Sequence, residues 1–159
     1  MPAYLNTATI MPYVDALHRS QVISLWEAAF GYQATHNRSD LVIDKKIDVD
    51  DQLFFVAVDG VAVVGTTMAG YDGHRGWIYS VAVSPSHRRQ AIGSRLVSHA
   101  ERALACKGCM KINLQIIEGN DSAVAFYAAL GYSVEKRISM GKLIPENVPA
   151  ASPIVVRSI

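Results

Sequence analysis

An apolar run, Ile78 to Val83, passes through Pro85 and Arg88-Arg89-Gln90-Ala91-Ile92-Gly93 into a helical pattern that starts near Ile92, and this junction constrains the fold most. Pro85 ends the run as a strand, because proline has no N–H to give to a ladder. The helix beyond it carries Ile92, Leu96, Val97, Ala100, Ala103 and Leu104 on one side and Arg95, His99, Glu101 and Arg102 on the other, with Gly108 as its stop. Such a helix packs one face on a sheet. Lys111 to Ile117 then alternates and runs apolar as a second strand. Strand, helix, strand at this spacing implies a right-handed crossover and a parallel pair.

The junction also carries chemistry. A turn of small residues between strand and helix presents several backbone N–H groups in one direction, and the helix N-terminus adds about half a positive charge. Arg88 and Arg89 supply further attraction, so phosphate is the expected ligand. The P-loop and dinucleotide fingerprints are both missing from the chain.

Around this unit the pattern is mixed. Met1 to Thr9 reads as a short tail or the lead-in to a first strand, Ile10 to Val14. Val22, Ile23, Leu25, Trp26, Ala29 and Phe30 recur with a period near 3.6 and predict a helix ending at Gly31. Asn37 to Asp40 offers N-cap candidates for a second helix through Leu41, Ile43 and Ile47, which Asp48, Asp50 and Asp51 close. Leu53 to Val58 and Val61 to Met68 flank Asp59-Gly60, a hairpin turn signal, and Trp77 to Val83 comes after the Asp72-Gly73-His74-Arg75-Gly76 loop as the third strand of an antiparallel meander. Asn120 to Ser122 caps a short helix through Ala123, Phe126, Tyr127 and Leu130, Gly131 ends it, and Tyr132 to Leu143 can supply one or two final strands.

The 159 residues fit one domain, 10–144, with a tail over 145–159. A net charge of +1 and scattered basic residues argue against a general affinity for nucleic acid. No apolar segment reaches about 18 residues, and the N-terminus lacks a signal-peptide pattern, so a cytoplasmic protein without membrane attachment is expected. Cys106 and Cys109 form a single C-x-x-C at a helix end, the wrong pole of the dipole for a redox thiolate and too few ligands for zinc. They read as buried or half-buried thiols, and no metal is expected.

Taken in order, these segments resemble the GCN5-related N-acetyltransferase (GNAT) family from about Ile10 to Leu143. The family's cofactor signature, Arg or Gln, two free positions, Gly, one free position, then Gly or Ala, reads here Arg88, Arg89-Gln90, Ala91, Ile92, Gly93, with alanine where glycine is usual. Ser80-Val81-Ala82-Val83-Ser84-Pro85 is similar to its central strand, and Asn120 through Phe126-Tyr127 to Gly131-Tyr132 to its second motif. The resemblance implies an α+β fold with a mixed, mostly antiparallel sheet of six to seven strands, helices on both faces and a splayed parallel pair at the cofactor site. It implies acetyl-CoA as co-substrate and a primary amine, of a small molecule or a protein, as acceptor. A non-catalytic acyl-CoA-binding sensor or partner module of the same fold is the alternative reading, and a homodimer is an expectation.

By the same resemblance, the backbone N–H groups of Arg89, Gln90, Ala91, Ile92, Gly93 and Ser94 cradle the pyrophosphate, and Arg88 orders the turn or approaches a phosphate. Ala91 is expected in helical dihedrals, since a left-handed conformation would cost roughly 1–2 kcal/mol. Val81, Ala82 and Val83 receive the pantetheine arm and thioester carbonyl between Ser80–Val83 and Asn113–Ile117. Asn120 contacts the arm, caps its helix, or does both. Tyr127 is the expected general acid to the departing thiolate. The base candidates are Glu118, at the end of a strand, and Asp72, ahead of His74 and Glu27; a water relay would serve equally.

Overall fold

The computed structural model describes residues 8–31 and 35–145; the lead-in before Ala8 and the tail beyond Pro145 lie outside them. Strands β1 (Thr9–Pro12), β2 (Phe54–Asp59), β3 (Ala62–Tyr71), β4 (Gly76–Val83) and β5 (Ile112–Asn113) form one sheet in chain order. The first three pairings are antiparallel and the last is parallel. Helices α1 (Asp15–Phe30) and α2 (Ser39–Val49) join β1 to β2, α3 (Ile92–Cys106) makes the crossover from β4 to β5, and α4 (Asp121–Ala129) comes last.

The period-2 alternation of the strands sorts their side chains onto two cores. Val22, Leu25 and Trp26 of α1 and Ile43 of α2 pack on Phe54, Val56, Val58, Val63, Met68 and Ala82. On the other face Val97, Ala100 and Leu104 of α3 meet Phe55, Ala69 and Ile78, with Phe126 and Tyr127 of α4 at the margin, while Ile92 and Leu96 cover Ala57 and Val64. The sheet is thus covered by helices on both sides. Gly65 sets how closely α3 approaches, because a Cβ there would stand 2.9 Å from Leu96 Cδ1 and 3.2 Å from the Ala82 carbonyl oxygen.

Three expectations need correction. The sheet has five strands among the described residues: Tyr132 to Leu143 forms no ladder, and the strand expected over Lys111 to Ile117 is reduced to Ile112–Asn113. Side chains tie the two segments together instead, Lys111 and Asn113 both reaching the Glu135 carboxylate and Gln115 donating to Ser139 Oγ at 2.6 Å. Glu118 accordingly lies in the β5–α4 loop and not at a strand end. Cys106, the last residue of α3, is exposed, and only Cys109 is half-buried.

Candidate active site

Two features of β4 open the sheet. The ladder to β5 holds only at Gly76↔Ile112 and Trp77↔Asn113, so the strands part just before the segment expected to receive a ligand. Further along, Thr66 pairs with Ala82 and Met68 with Tyr79, which leaves Thr67 opposite both Ser80 and Val81. This bulge turns on Ser80, whose φ of +53° is left-handed. A bulge bends its strand and re-aims the residues beyond it, here Val81, Ala82 and Val83.

The turn from β4 to α3 begins with a single 3-10 turn, Pro85–His87. Arg88 donates from Nε to the Val83 carbonyl at 3.4 Å, so it ties the turn back to the strand. Arg89 and Ala91 then both adopt positive φ, +63° and +59°. Ala91 is left-handed and not helical as expected; it is the N-cap of α3 and so lies outside the helix, its carbonyl already accepting the Arg95 N–H at 3.0 Å and the Ser94 hydroxyl at 2.9 Å. A capping residue lies outside the helix, and no side chain caps this one. The N–H groups of Ile92, Gly93 and Ser94 therefore open at the positive pole of a 15-residue helix, after a loop in which Arg89 and Ala91 are left-handed. That donor set fits a phosphate or diphosphate.

Gly93 connects this helix start to α4. A Cβ at Gly93 would lie 3.3 Å from Phe126 Cζ and 3.6 Å from Val83 Cγ2, so the missing side chain lets the end of β4, the start of α3 and the ring of Phe126 meet. Phe126 contacts Tyr127 edge-on at 4.9 Å, and Tyr127 contacts Tyr132 in the same way at 5.6 Å. Burial pushes the Tyr127 phenol up to about 12, and its hydroxyl has no hydrogen-bond partner among the described residues. It stays protonated at neutral pH as a donor with an open valence.

Tyr127 and Glu118 line a cavity of about 1080 Å³ with Trp77, Asn113 to Ile117, Val124 and residues of 132–139. Neither Val81–Val83 nor Arg88–Ser94 lines that cavity; Gly93 approaches it through Phe126 and Tyr127, and Val81 packs in the same cluster as the lining residues Tyr127 and Leu130. Asn120 caps α4, its Oδ1 accepting from the Ala123 N–H at 3.2 Å and from the Ser122 hydroxyl at 3.1 Å. Asp72 organises its own loop: it accepts the N–H groups of His74 at 2.8 Å and Arg75 at 2.6 Å and the Trp77 indole at 3.3 Å. The two backbone donors hold this carboxyl below the usual range, which makes it a weak base. His74 is turned to Arg75, with 2.8 Å between the side chains. Glu27 is exposed on α1 and, like Asp72 and His74, does not line the cavity.

Sequence reasoning missed the buried polar side chains behind β4. Lys46 of α2 is buried, pairs with Asp51 at 2.6 Å, donates to the Ala69 carbonyl and lies 5.7 Å from the centre of the Tyr79 ring. Thr66 is fully buried between Trp26 and Ser80. The available signal was two adjacent threonines interrupting an otherwise apolar strand.

A model described as the acetyltransferase (GNAT) family matches residues 19–132. The chain is 37% identical over 122 residues to a protein of Yersinia enterocolitica named acetyltransferase YE1169, an overlap that covers 77% of this chain and 86% of that one. Among solved structures, Ard1 from Thermoplasma volcanium superposes with a TM-score of 0.72 at 21% identity, over 81% of this chain and 84% of that one. The PaiA N-acetyltransferase from Thermoplasma acidophilum, in complex with coenzyme A, superposes with a TM-score of 0.70 at 16% identity, over 82% and 92%. The chain belongs to the GNAT family of acetyltransferases. No helix among the described residues is long and apolar enough to cross a membrane.

Proposed function

We propose that the protein transfers an acetyl group from acetyl-CoA to a primary amine, of a small molecule or a protein, by direct attack within a ternary complex. The observation that carries this reading is the packing, at Gly93, of a helix start without a side-chain cap against Phe126 of α4, whose ring meets that of Tyr127, a tyrosine with no hydroxyl partner among the described residues. Acetyl-CoA supplies an acyl thioester and a diphosphate. The N–H groups at the start of α3 hold the diphosphate, and Arg88 keeps the turn in register through Val83. The bulged backbone of Val81–Val83 binds the acyl arm and offers an N–H to the developing oxyanion. Asn120 fixes the start of α4, and with it the placement of Tyr127.

Tyr127 serves as a hydrogen-bond donor to the leaving sulfur. Outright proton donation from a phenol near 12 to a thiolate whose thiol titrates near 8.5 would be uphill by roughly 5 kcal/mol, so the proton comes finally from the acceptor ammonium. Glu118, on the cavity wall with Tyr127, is better placed than Asp72 to take that proton, directly or through water. The test is thermal-shift binding of acetyl-CoA followed by free-thiol release across panels of amines and peptides. Saturable release with an amine supports the proposal. Tight binding with no turnover on any amine would favour a sensor, and no binding would remove both readings.

A further inference from the structure

The left-handed bulge of β4 is not held by its own sequence. Ser80 is neither glycine nor asparagine, and its φ of +53° is one an L-residue adopts only when its surroundings impose it. Around it runs a buried relay reaching from α1 through the sheet. The Trp26 indole N–H donates to Thr66 Oγ1 at 2.8 Å, and the Thr66 hydroxyl donates onward to the Ser80 carbonyl oxygen at 2.9 Å. Thr66 has no solvent exposure and Trp26 has 3%. A hydroxyl has one proton to give, the indole can only donate and the carbonyl can only accept, so the direction of the relay is fixed.

We infer that Trp26 and Thr66 are positioning residues for acyl transfer: they lock the Ser80 carbonyl in the bulged conformation and thereby aim the Val81–Val83 backbone at the thioester. The inference rests on the acetyl-transfer reading for its kinetic consequence and on geometry alone for its structural one. Thr67 provides an internal control. It is the next residue of β3 and is equally buried, yet its hydroxyl has no hydrogen-bond partner among the described residues although it stands opposite the same bulge.

The experiment compares Thr66→Val, Thr66→Ser, Thr67→Val and Trp26→Phe, each also in a Ser80→Gly background. It measures kcat and the KM of acceptor and acetyl-CoA, together with the backbone amide NMR shifts of Ser80 and Val81 without ligand. Thr66→Val is expected to lower kcat at least tenfold with acceptor KM changed less than twofold, and to displace the Ser80 and Val81 amides. Thr66→Ser keeps the hydroxyl and stays within threefold of wild type; Thr67→Val stays within twofold. Trp26→Phe keeps ring packing against Phe54 but loses the indole donor, and falls between these. Ser80→Gly, which adopts the left-handed backbone freely, restores part of the loss in Thr66→Val. Loss of thermal stability in Thr66→Val with kcat and both amides unchanged would overturn the inference, as would equal losses in Thr66→Val and Thr67→Val. If wild type releases no thiol with any acceptor, the acetyl-transfer reading fails and with it the kinetic claim; the amide shifts and their rescue by Ser80→Gly then decide whether the relay holds the bulge.

Discussion

Ala91 carries a methyl in a region of backbone space that favours glycine, at the helix start where an anion would sit. The left-handed conformation costs roughly 1–2 kcal/mol, and glycine would return part of the gain as unfolded-state entropy, about 0.5–1 kcal/mol. Ala91→Gly is therefore expected to raise Tm by roughly 1–4 °C in a domain of this size; a fall in Tm would contradict the left-handed assignment. Tyr127 gives a second test at this scale. Tyr127→Phe should lower kcat at least tenfold while acetyl-CoA affinity changes less than twofold, because the hydroxyl meets charge only as the thiolate departs. With the phenol raised to about 12, the wild-type kcat profile should show no alkaline loss from this group below about pH 10; an alkaline limb near pH 9 that vanishes in Tyr127→Phe would show an ionising tyrosine instead.

At the scale of elements, α3 and α4 are positioned by absent side chains. A methyl at Gly65 would press on Leu96 and on the Ala82 carbonyl, and a methyl at Gly93 on Phe126. Gly65→Ala is expected to destabilise by roughly 1–3 kcal/mol, as overpacking does, because one of its contacts is backbone and cannot rotate away. Gly93→Ala meets only the side chains of Phe126 and Val83, so it should cost less stability and more turnover, through displacement of Tyr127. Chemical denaturation and kcat measured on both variants would reveal the reversed order if the account is wrong.

Elements with local signals were legible in the sequence. Asp59-Gly60 announced the hairpin, and Gly60 has the positive φ the turn requires. The 3.6 periodicity from Ile92 to Leu104 marked the face of α3 that is buried. Gly31, Gly108 and Gly131 sit with positive φ at or just past helix ends, as their positions suggested. Elements set by distant contacts were not legible. The bulge at Ser80 depends on Thr66 in the neighbouring strand and on Trp26 in the first helix, and no local propensity encodes it. Lys111 to Ile116 has the alternation of a strand, yet a ladder also needs a partner, and the pairing with β4 stops after Trp77↔Asn113. The candidate site divides in the same way: the helix start after Arg88–Ala91 and the α4 helix that carries Tyr127 were legible from residue type and order, whereas the left-handed backbone of Ala91 and the engagement of Asp72 by its own loop were not.

Among the described residues two cores share one sheet, and a histidine is partly enclosed on each side. His18 is buried at the start of α1, where its Nδ1 accepts the Val14 N–H at 2.9 Å, and His99 packs edge-on to Phe55 at 4.5 Å. Burial lowers both pKa values below the ordinary 6.5, with Arg102 adding to the effect at His99. A histidine whose folded pKa is depressed contributes its full stability above the unfolded value and loses it as pH falls toward the folded value. Tm is therefore expected to fall as pH drops from about 6.5 toward 5, and His18→Gln combined with His99→Gln should flatten that slope. An unchanged slope in the double variant would place the acid sensitivity elsewhere.

In the proposed reaction acyl transfer proceeds directly to the amine within one ternary complex, with the start of α3 holding the diphosphate while the backbone of β4 and Tyr127 act on the thioester of the same acetyl-CoA. A matrix of initial rates, varying acetyl-CoA and an active acceptor independently, tests it most directly. Direct transfer requires reciprocal plots that intersect, since both substrates must be present before the thiol is released. Parallel lines would contradict it, by showing that the enzyme takes up the acetyl group before it meets the acceptor.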